Sequence, residues 1–377
     1  RRRDLASHAF KSEGAFRIAA MIKLAQDLLP VRPDEFDAHD HILNCVNGVL
    51  DLRAGKLGEH VRELMLTKLA PVDYVSDGRS TLWEGHLVRV LPDPEVLRYF
   101  QKVIGYSLTG DTAEEKLFFV HGPTRTGKST TIEAIRATLG DYAVTADFEA
   151  FLKRPSSGGA RNDIARLGGA RVVFSTEVND GMELASGLVK QLTGGDTVTA
   201  RFLYQEAFEF RPRFKLFLCA NDRPTARADD GALWERIVEI PFEVEIPRDE
   251  RDPALKVKLR TSERQGILAW AVRGYQMWRK EGLGDPPRAV KKATGAYRDE
   301  MDPIKRFLGE CCVLDRDSTS ATASLWAAYR RWSESDRKKP VSRDRFFKSL
   351  ERFGLTRGWK HGGRTWCGVR ILSKMET

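Results

Sequence analysis

The chain has 377 residues, 41% of them hydrophobic and 31% charged, with 62 Lys and Arg against 53 Asp and Glu for a net charge of +9. That length exceeds one ordinary core and predicts two or three domains of a globular, not disordered, protein. No apolar run approaches the roughly 18 residues of a membrane span, and the basic excess favours polyanionic partners, nucleic acid ahead of a membrane surface.

Cys45, Cys219, Cys311, Cys312 and Cys367 show no C-x-x-C spacing, which argues for a reducing, cytoplasmic compartment and against a zinc site. His39 and His41 form a lone pair in a polar turn and receive no metal role. Arg1, Arg2, Arg3 and Asp4 open the chain without an apolar segment behind them, so no secretory signal is expected. With no initiating Met, the sequence reads as part of a longer protein.

Taken in order, residues 4–29 read as an amphipathic helix, with Ile18, Ile22, Ala25 and Leu29 on one face and Pro30 and Pro33 stopping it. Ile42-Leu43 and 49–52 read as short strands around Asn47-Gly48, a hairpin pattern. Residues 82–109 are helical again by spacing. Residues 1–95 are therefore expected to be an α+β accessory or collar domain without catalytic groups.

From residue 96 strands alternate with helices, the pattern of a parallel sheet covered by helices. The apolar run Leu117 to Val120 ends at Gly122, and Gly122, Pro123, Thr124, Arg125, Thr126, Gly127, Lys128 and Ser129 fit the phosphate-loop spacing, with Thr130 opening a helix over 130–139. Gly122 and Gly127 allow backbone angles that let N–H groups wrap a phosphate. Lys128 offers a point charge to the β/γ-phosphates, Ser129 a hydroxyl to Mg²⁺, and the helix N-terminus adds partial positive charge. These residues are expected to bind ATP with Mg²⁺.

A buried strand from Arg171 ends in Ser175, Thr176 and Glu177, where an acid at the strand's end is expected beside the phosphate loop to serve Mg²⁺ and the attacking water. A third strand, 215–220, ends in Asn221, an amide suited to orienting water or sensing the γ-phosphate. Arg236 follows a turn-prone loop and could reach a nucleotide on a neighbouring subunit as an arginine finger. Between them, 198–210 reads as two strands joined near 203–206, whose tip mixes Arg201, Phe202 and Tyr204, the basic and aromatic pairing that holds single strands. Phe208 and Phe210 are expected to point into a core.

These pieces in this order resemble the superfamily 3 helicases, and among them the primase–helicases of phages, satellite phages, plasmids and poxviruses. The match rests on Gly122–Ser129, Ser175–Glu177, the block from Val189 through Lys190 to Asp196, Thr199–Arg201, Ala220–Asn221 and Asp229–Ile237, and extends upstream to 43–52. The resemblance implies an AAA+-like ring motor, a homo-hexamer hydrolysing ATP between subunits and moving 3′→5′ on single-stranded DNA. By position it assigns Lys128 and Ser129 to phosphate and Mg²⁺, Glu177 to the second-motif acid and Asn221 to the sensor. It assigns Arg236 to the trans finger, Arg201 to the DNA-gripping hairpin and Lys190 to a second sensor. Two departures stand out: Glu235 precedes Arg236 where many relatives have Arg-Arg, and Thr176 precedes Glu177 where many ring ATPases carry a second acid.

Beyond Pro286-Pro287 a helical connector is expected over 286–310. From 311, a helix over 322–335, a second over 343–353 with Ser342 as N-cap, and strands flanking Gly362-Gly363 follow the winged-helix order. Arg343, Arg345, Lys348 and Arg352 would line its recognition helix, with Lys360 and Arg364 in the wing. The expected fold class is thus α/β: a AAA+-like P-loop core over 96–285, an N-terminal accessory domain and a winged-helix DNA-binding domain over 311–377. The expected function is an ATP-dependent DNA helicase in the replication of a mobile element, acting on single-stranded and forked DNA in a bacterial or phage-infected cell. A primase or polymerase is a candidate partner, although no polymerase-type carboxylate set is recognisable here. The competing readings are a nucleotide-switched initiator or loader that does not unwind, and a small-molecule P-loop kinase.

Overall fold

Strands and helices alternating from residue 96 onward build a five-stranded parallel sheet. The computed structural model describes residues 2–28, 30–154, 161–176, 182–335, 340–360 and 363–372. The N-terminal stretch expected as one helix is two, α1 (Arg2–Ser12) and α2 (Ala15–Ala25), because Gly14 at φ −64°, ψ 133° leaves the helical region between them. Neither helix buries a residue. The expected hairpin is present: β1 (Ile42–Cys45) and β2 (Gly48–Asp51) pair antiparallel, and β3 (Lys56–Gly58) adds a third strand. The helix expected over 82–109 also divides. α3 (Thr81–Val90) starts at Ser80, whose Oγ accepts from Trp83 N, and α4 (Pro94–Ser107) starts at Asp93 with Pro94 in its first turn. Proline suits that first turn and not a helix interior, so Asp93-Pro94 restarts the helix.

β4 (Leu117–His121) leads through the glycine-rich loop into α5 (Lys128–Leu139), followed by β5 (Ala143–Asp147), α6 (Asn162–Ala165) and β6 (Val172–Thr176). Next come α7 (Ser186–Thr193), the antiparallel hairpin of β7 (Val198–Arg201) and β8 (Ala207–Phe210), and β9 (Lys215–Ala220). The short α8 (Gly231–Trp234) and β10 (Ile237–Pro241) close the series, and the sheet runs β10-β4-β9-β6-β5 with every pair parallel. The central strand β9 is buried along its whole length, as a strand covered on both faces must be.

Alternate residues of the strands feed two different cores. Phe118, Val120, Phe174, Phe217 and Ile240 face a cluster that includes Leu43, Leu50, Trp83, Leu87, Phe100 and Val103 from the N-terminal region. That cluster also takes in Ile267, Trp270 and Tyr275 of α10 (Arg264–Glu281), which follows α9 (Leu255–Arg260). Leu117, Phe119, Val173, Leu216 and Leu218 face the opposite cluster, with Phe148, Phe151, Val189 and Leu233. Arg171, buried just before β6, donates to Leu108 O at 2.6 Å and His39 O at 2.9 Å, tying the N-terminal region to the base of the sheet.

α11 (Arg288–Glu300) crosses β10 and leads into a third unit: α12 (Pro303–Cys311), β11 (Cys312–Ala321), α13 (Thr322–Ser335), α14 (Arg343–Arg352), β12 (Thr356–Lys360) and β13 (Gly363–Ile371). Its antiparallel sheet has the order β11-β13-β12, and it has its own core around Phe307, Tyr329, Phe346, Leu350 and Trp366. Among the described residues no helix is long and apolar enough to cross a membrane.

Candidate nucleotide site and nucleic-acid surfaces

The phosphate loop is wedged in place by backbone that only glycine can supply. Gly122 has φ +153°, and a Cβ there would lie 1.9 Å from Phe242 O. Gly127, at φ +83°, would meet Val90 Cγ1 at 2.6 Å and His86 Cε1 at 3.1 Å, so α3 presses on the loop from its far side. Arg125 also takes a positive φ of 66°. Lys128, at the N-terminus of α5, curls back over the loop: Nζ donates to Gly122 O at 2.7 Å, Pro123 O at 2.6 Å and Thr126 Oγ1 at 3.3 Å. Burial lowers its pKa from the usual 10.5, so an anion entering the loop stabilises a charge that the protein alone desolvates.

Thr124–Thr130 and Asn221 line one cavity of about 300 Å³. The strand order explains the convergence. β9 lies directly beside β4 in register Val120↔Cys219 and His121↔Ala220, so Asn221 emerges next to Gly122. The Cys219 thiol beneath it is pushed up to about 12 by burial and stays neutral. Ser129 is exposed in the same cavity, where a hydroxyl can reach a phosphate-bound cation. Glu177 lies outside the described residues. Its strand, β6, ends at Thr176 and lies one strand away from β4, with β9 between them.

Behind the loop, His86 forms a chain that the sequence did not suggest. Its Nε2 lies 2.9 Å from Thr131 Oγ1, and Thr131 donates to Gly127 O at 3.0 Å. With the hydroxyl proton on Gly127 O, Nε2 of His86 is the donor to Thr131 Oγ1. Helical spacing marked His86 only as a residue of an accessory helix, because contact with a loop some forty residues on leaves no trace in local pattern.

Arg236 sits at the other end of the sheet. Leu117 N donates to Arg236 O at 2.8 Å, so Arg236 is level with the start of β4, about 16 Å from Gly122 at roughly 3.3 Å per residue. Its guanidinium pairs with Glu115 at 2.7 Å and donates to Ala232 O at 2.9 Å. It therefore does not serve the phosphate loop of its own chain. Lys190 on α7 pairs with Asp230 at 3.2 Å, and Asp230 also accepts from Ser186 and from Leu233 N. Desolvation raises the Asp230 pKa, but these hydrogen bonds more than offset it and hold the carboxyl below its ordinary value. The Lys190 block and the loop leading to Arg236 are thus one connected structure.

The 198–210 hairpin carries Tyr204 at its tip, 98% exposed at φ +62°, with Arg201 exposed beside it. Phe202 is different from expectation. It stacks on Phe208 with centroids 5.5 Å apart, and Phe208 lies tilted against Phe210 at 6.0 Å, so Phe202 props the tip instead of presenting a free ring. In the C-terminal unit Lys348 and Arg364 are exposed, and Lys360 donates to Thr319 Oγ1 at 2.9 Å. Arg345, expected on a DNA-reading face, instead pairs with Asp229 of the sheet unit at 2.6 Å, because α14 turns that side inward. Trp359, 75% exposed and opposite Arg364 in the β12/β13 register, is a stacking candidate that sequence reading passed over.

A glycine-wedged phosphate loop on an all-parallel sheet with strand order β10-β4-β9-β6-β5 defines the P-loop NTPase class of fold. Family models described as "D5 N terminal like", as a family of unknown function, and as "Poxvirus D5 protein-like" match residues 1–92, 120–236 and 299–362. The D5-type models at both ends of the chain, with viral helicases and a primase among its relatives, support a primase–helicase family of the superfamily 3 type. It is 29% identical over 325 residues to "Putative helicase L207/L206" of Acanthamoeba polyphaga mimivirus, covering 80% of this chain and 34% of that protein. It is 29% identical over 266 residues to "Putative helicase 022R" of Frog virus 3, covering 66% and 27%, and 23% identical over 232 residues to "Primase D5" of Fowlpox virus, covering 58% and 29%. The chain therefore spans about a third or less of these relatives. The apo structure of the NrS-1 C-terminal region shares the fold at a TM-score of 0.50 and 12% identity, covering 62% of this chain and 54% of that one.

Proposed function

We propose that this chain is the motor part of a replication helicase, an ATP- and Mg²⁺-dependent ring, a hexamer by family analogy, that translocates 3′→5′ on single-stranded DNA. The observation that carries the proposal is the convergence of Lys128, Ser129 and Asn221 on one cavity, with the Lys128 ammonium held at the mouth of the loop. Bound Mg²⁺ would be held through Ser129 and, by family analogy, Glu177, and would neutralise charge on the phosphates. Lys128 balances the γ-phosphate charge, and Asn221 orients the attacking water. Arg236, too far from its own phosphate loop, supplies transition-state charge to a neighbour's site. Arg201 and Tyr204 grip the strand by charge and stacking, and the C-terminal unit, read as a winged helix, contacts DNA through Lys348, Lys360 and Arg364.

The test is DNA-stimulated ATP hydrolysis together with strand displacement on a forked substrate. Lys128→Ala should lower hydrolysis by more than about 100-fold, the scale of removing one preorganised charge from a reacting phosphate. Full residual hydrolysis in that variant would remove the site assignment. Hydrolysis by the unaltered chain without strand displacement would favour a nucleotide-switched initiator.

A further inference from the structure

Where β4 runs into the phosphate loop, the sheet face away from α5 holds a buried ion cluster that the chemistry above does not use. Glu239 of β10, 1% exposed, is at its centre. His121, the residue before Gly122, has Nδ1 3.0 Å from Glu239 Oε1. Arg223, which follows Asn221 and Asp222, grips the same carboxylate with its guanidinium fork, Nε donating to Oε2 at 3.1 Å and Nη2 to Oε1 at 2.6 Å. Its Nη1 donates to Glu300 of α11 at 2.7 Å, and the group lies over the Tyr297 ring at 5.5 Å from the centroid. Resting on the nucleotide reading, with Asn221 at the attacking water, we propose that Arg223 is a positioning residue that holds Asn221 in register with the phosphate loop.

The place of the cluster carries this. The ladder between β4 and β9 ends at the pair His121↔Ala220, so Gly122 and Asn221 are the first residues that the two strands no longer align. The chain beyond Asn221 is next fastened at Thr225, which donates to Met182 O at 2.8 Å and accepts from Leu184 N at 2.9 Å. Residues 221–224 bridge those two anchors, and the cluster ties them from the side. Arg223 is held through its fork, and Pro224 O accepts from the Tyr297 hydroxyl at 2.5 Å. Through Glu239 the tie returns to His121, so both strand exits at the phosphate site are fixed to one buried carboxylate. A planar fork sets orientation as well as distance, which a point charge does not. Misplacement by about 1 Å can cost about 100-fold in rate, so such a tie bears on turnover more than on binding.

The experiment is a double-mutant cycle on DNA-stimulated ATP hydrolysis by the full chain, with kcat and KM measured for each protein. Arg223→Met is combined with Glu239→Gln, so that neither substitution leaves a buried charge without its partner. The combination should lower kcat by about tenfold or more and leave KM for ATP within about twofold. Arg223→Lys, which keeps the charge without the fork, should fall between it and the unaltered chain. In an Asn221→Ala background either change should cost less than about twofold further, because Asn221 is the group through which Arg223 acts. Should the combination not fold, the Arg223→Lys cycle makes the same comparison. A loss of equal size in both backgrounds, or a KM that rises as kcat falls, overturns the positioning role and leaves a cluster that only fastens β10 to α11. Asn221→Ala with unchanged kcat removes the sensor assignment and the role of Arg223 with it, while the phosphate site stands. Absence of hydrolysis by the unaltered chain overturns the nucleotide reading together with this one.

Discussion

His86 is uncharged in the folded chain: burial first, then the nearby Arg89 charge, push its imidazole down to about 4. An unfolded histidine takes a proton near 6.5, so between those values the unfolded chain binds the extra proton. Stability is therefore complete above about 6.5 and falls as pH drops toward 4, by about 3 kcal/mol at most from this residue. His86→Gln, whose amide can still donate to Thr131, should unfold in urea much like the unaltered chain at pH 7 and lose less stability at pH 5. Equal pH dependence in the two proteins would show that His86 is not the group titrating. Arg236 poses a different residue-scale question, because among the described residues its guanidinium pairs with Glu115 and donates to Ala232 O and reaches no phosphate-loop residue. Arg236→Ala should abolish ATP hydrolysis. Mixing it with Lys128→Ala chains should restore activity at about one interface in four, where an intact Lys128 meets an intact Arg236. Mixtures as inactive as their components would rule out a finger acting between chains.

At the scale of elements, α4 and α10 cross with their backbones in near contact. A Cβ on Gly105 would lie 2.0 Å from Tyr275 N, and one on Gly274 would lie 2.0 Å from Gln101 O. Gly105→Ala should gain up to about 1 kcal/mol of helix propensity and still destabilise the chain by about 1–3 kcal/mol, because rigid backbone must move apart. Denaturant unfolding measures this; a neutral or stabilised variant would mean the helices can separate freely. No local pattern in the sequence marks that crossing, and the same limit separates what was legible from what was not. β4, β6 and β9 were legible because strands covered on both faces are continuous apolar runs with little else to become. β5 is an edge strand, half exposed throughout, and β11 is mostly exposed and rich in Asp, Ser and Thr, so neither shows the alternation that reveals a strand. The helix breaks at Gly14 and Asp93-Pro94 were written in the sequence, yet apolar spacing running across both obscured them. In the candidate site, the contiguous loop was readable and Asn221 followed from its strand end. The α3 contacts and the Arg345 pairing depend on packing between distant segments.

Across the whole molecule the net charge is +9, and its use depends on which cations are already committed. Arg345 is spent on Asp229, across the junction between the sheet unit and the C-terminal unit. Lys348 and Arg364 are exposed, and Lys360 donates to a hydroxyl. Each phosphate neutralised on DNA releases counterions, so the slope of log affinity against log salt counts the cations in contact. If the C-terminal unit lies on DNA through its exposed side, Lys348→Ala, Lys360→Ala and Arg364→Ala should each flatten that slope by about 0.7–0.9, the lower value on single strands. Arg345→Ala should leave the slope unchanged, since its guanidinium faces a carboxylate of its own chain. It should instead loosen the junction, read as faster proteolysis at residues 301–302 between α11 and α12. Fluorescence anisotropy on labelled DNA from low to physiological salt measures all four. A slope change for Arg345→Ala equal to the other three would mean that the Asp229 pair opens on binding, and that α14 meets DNA with the face now turned toward the sheet unit.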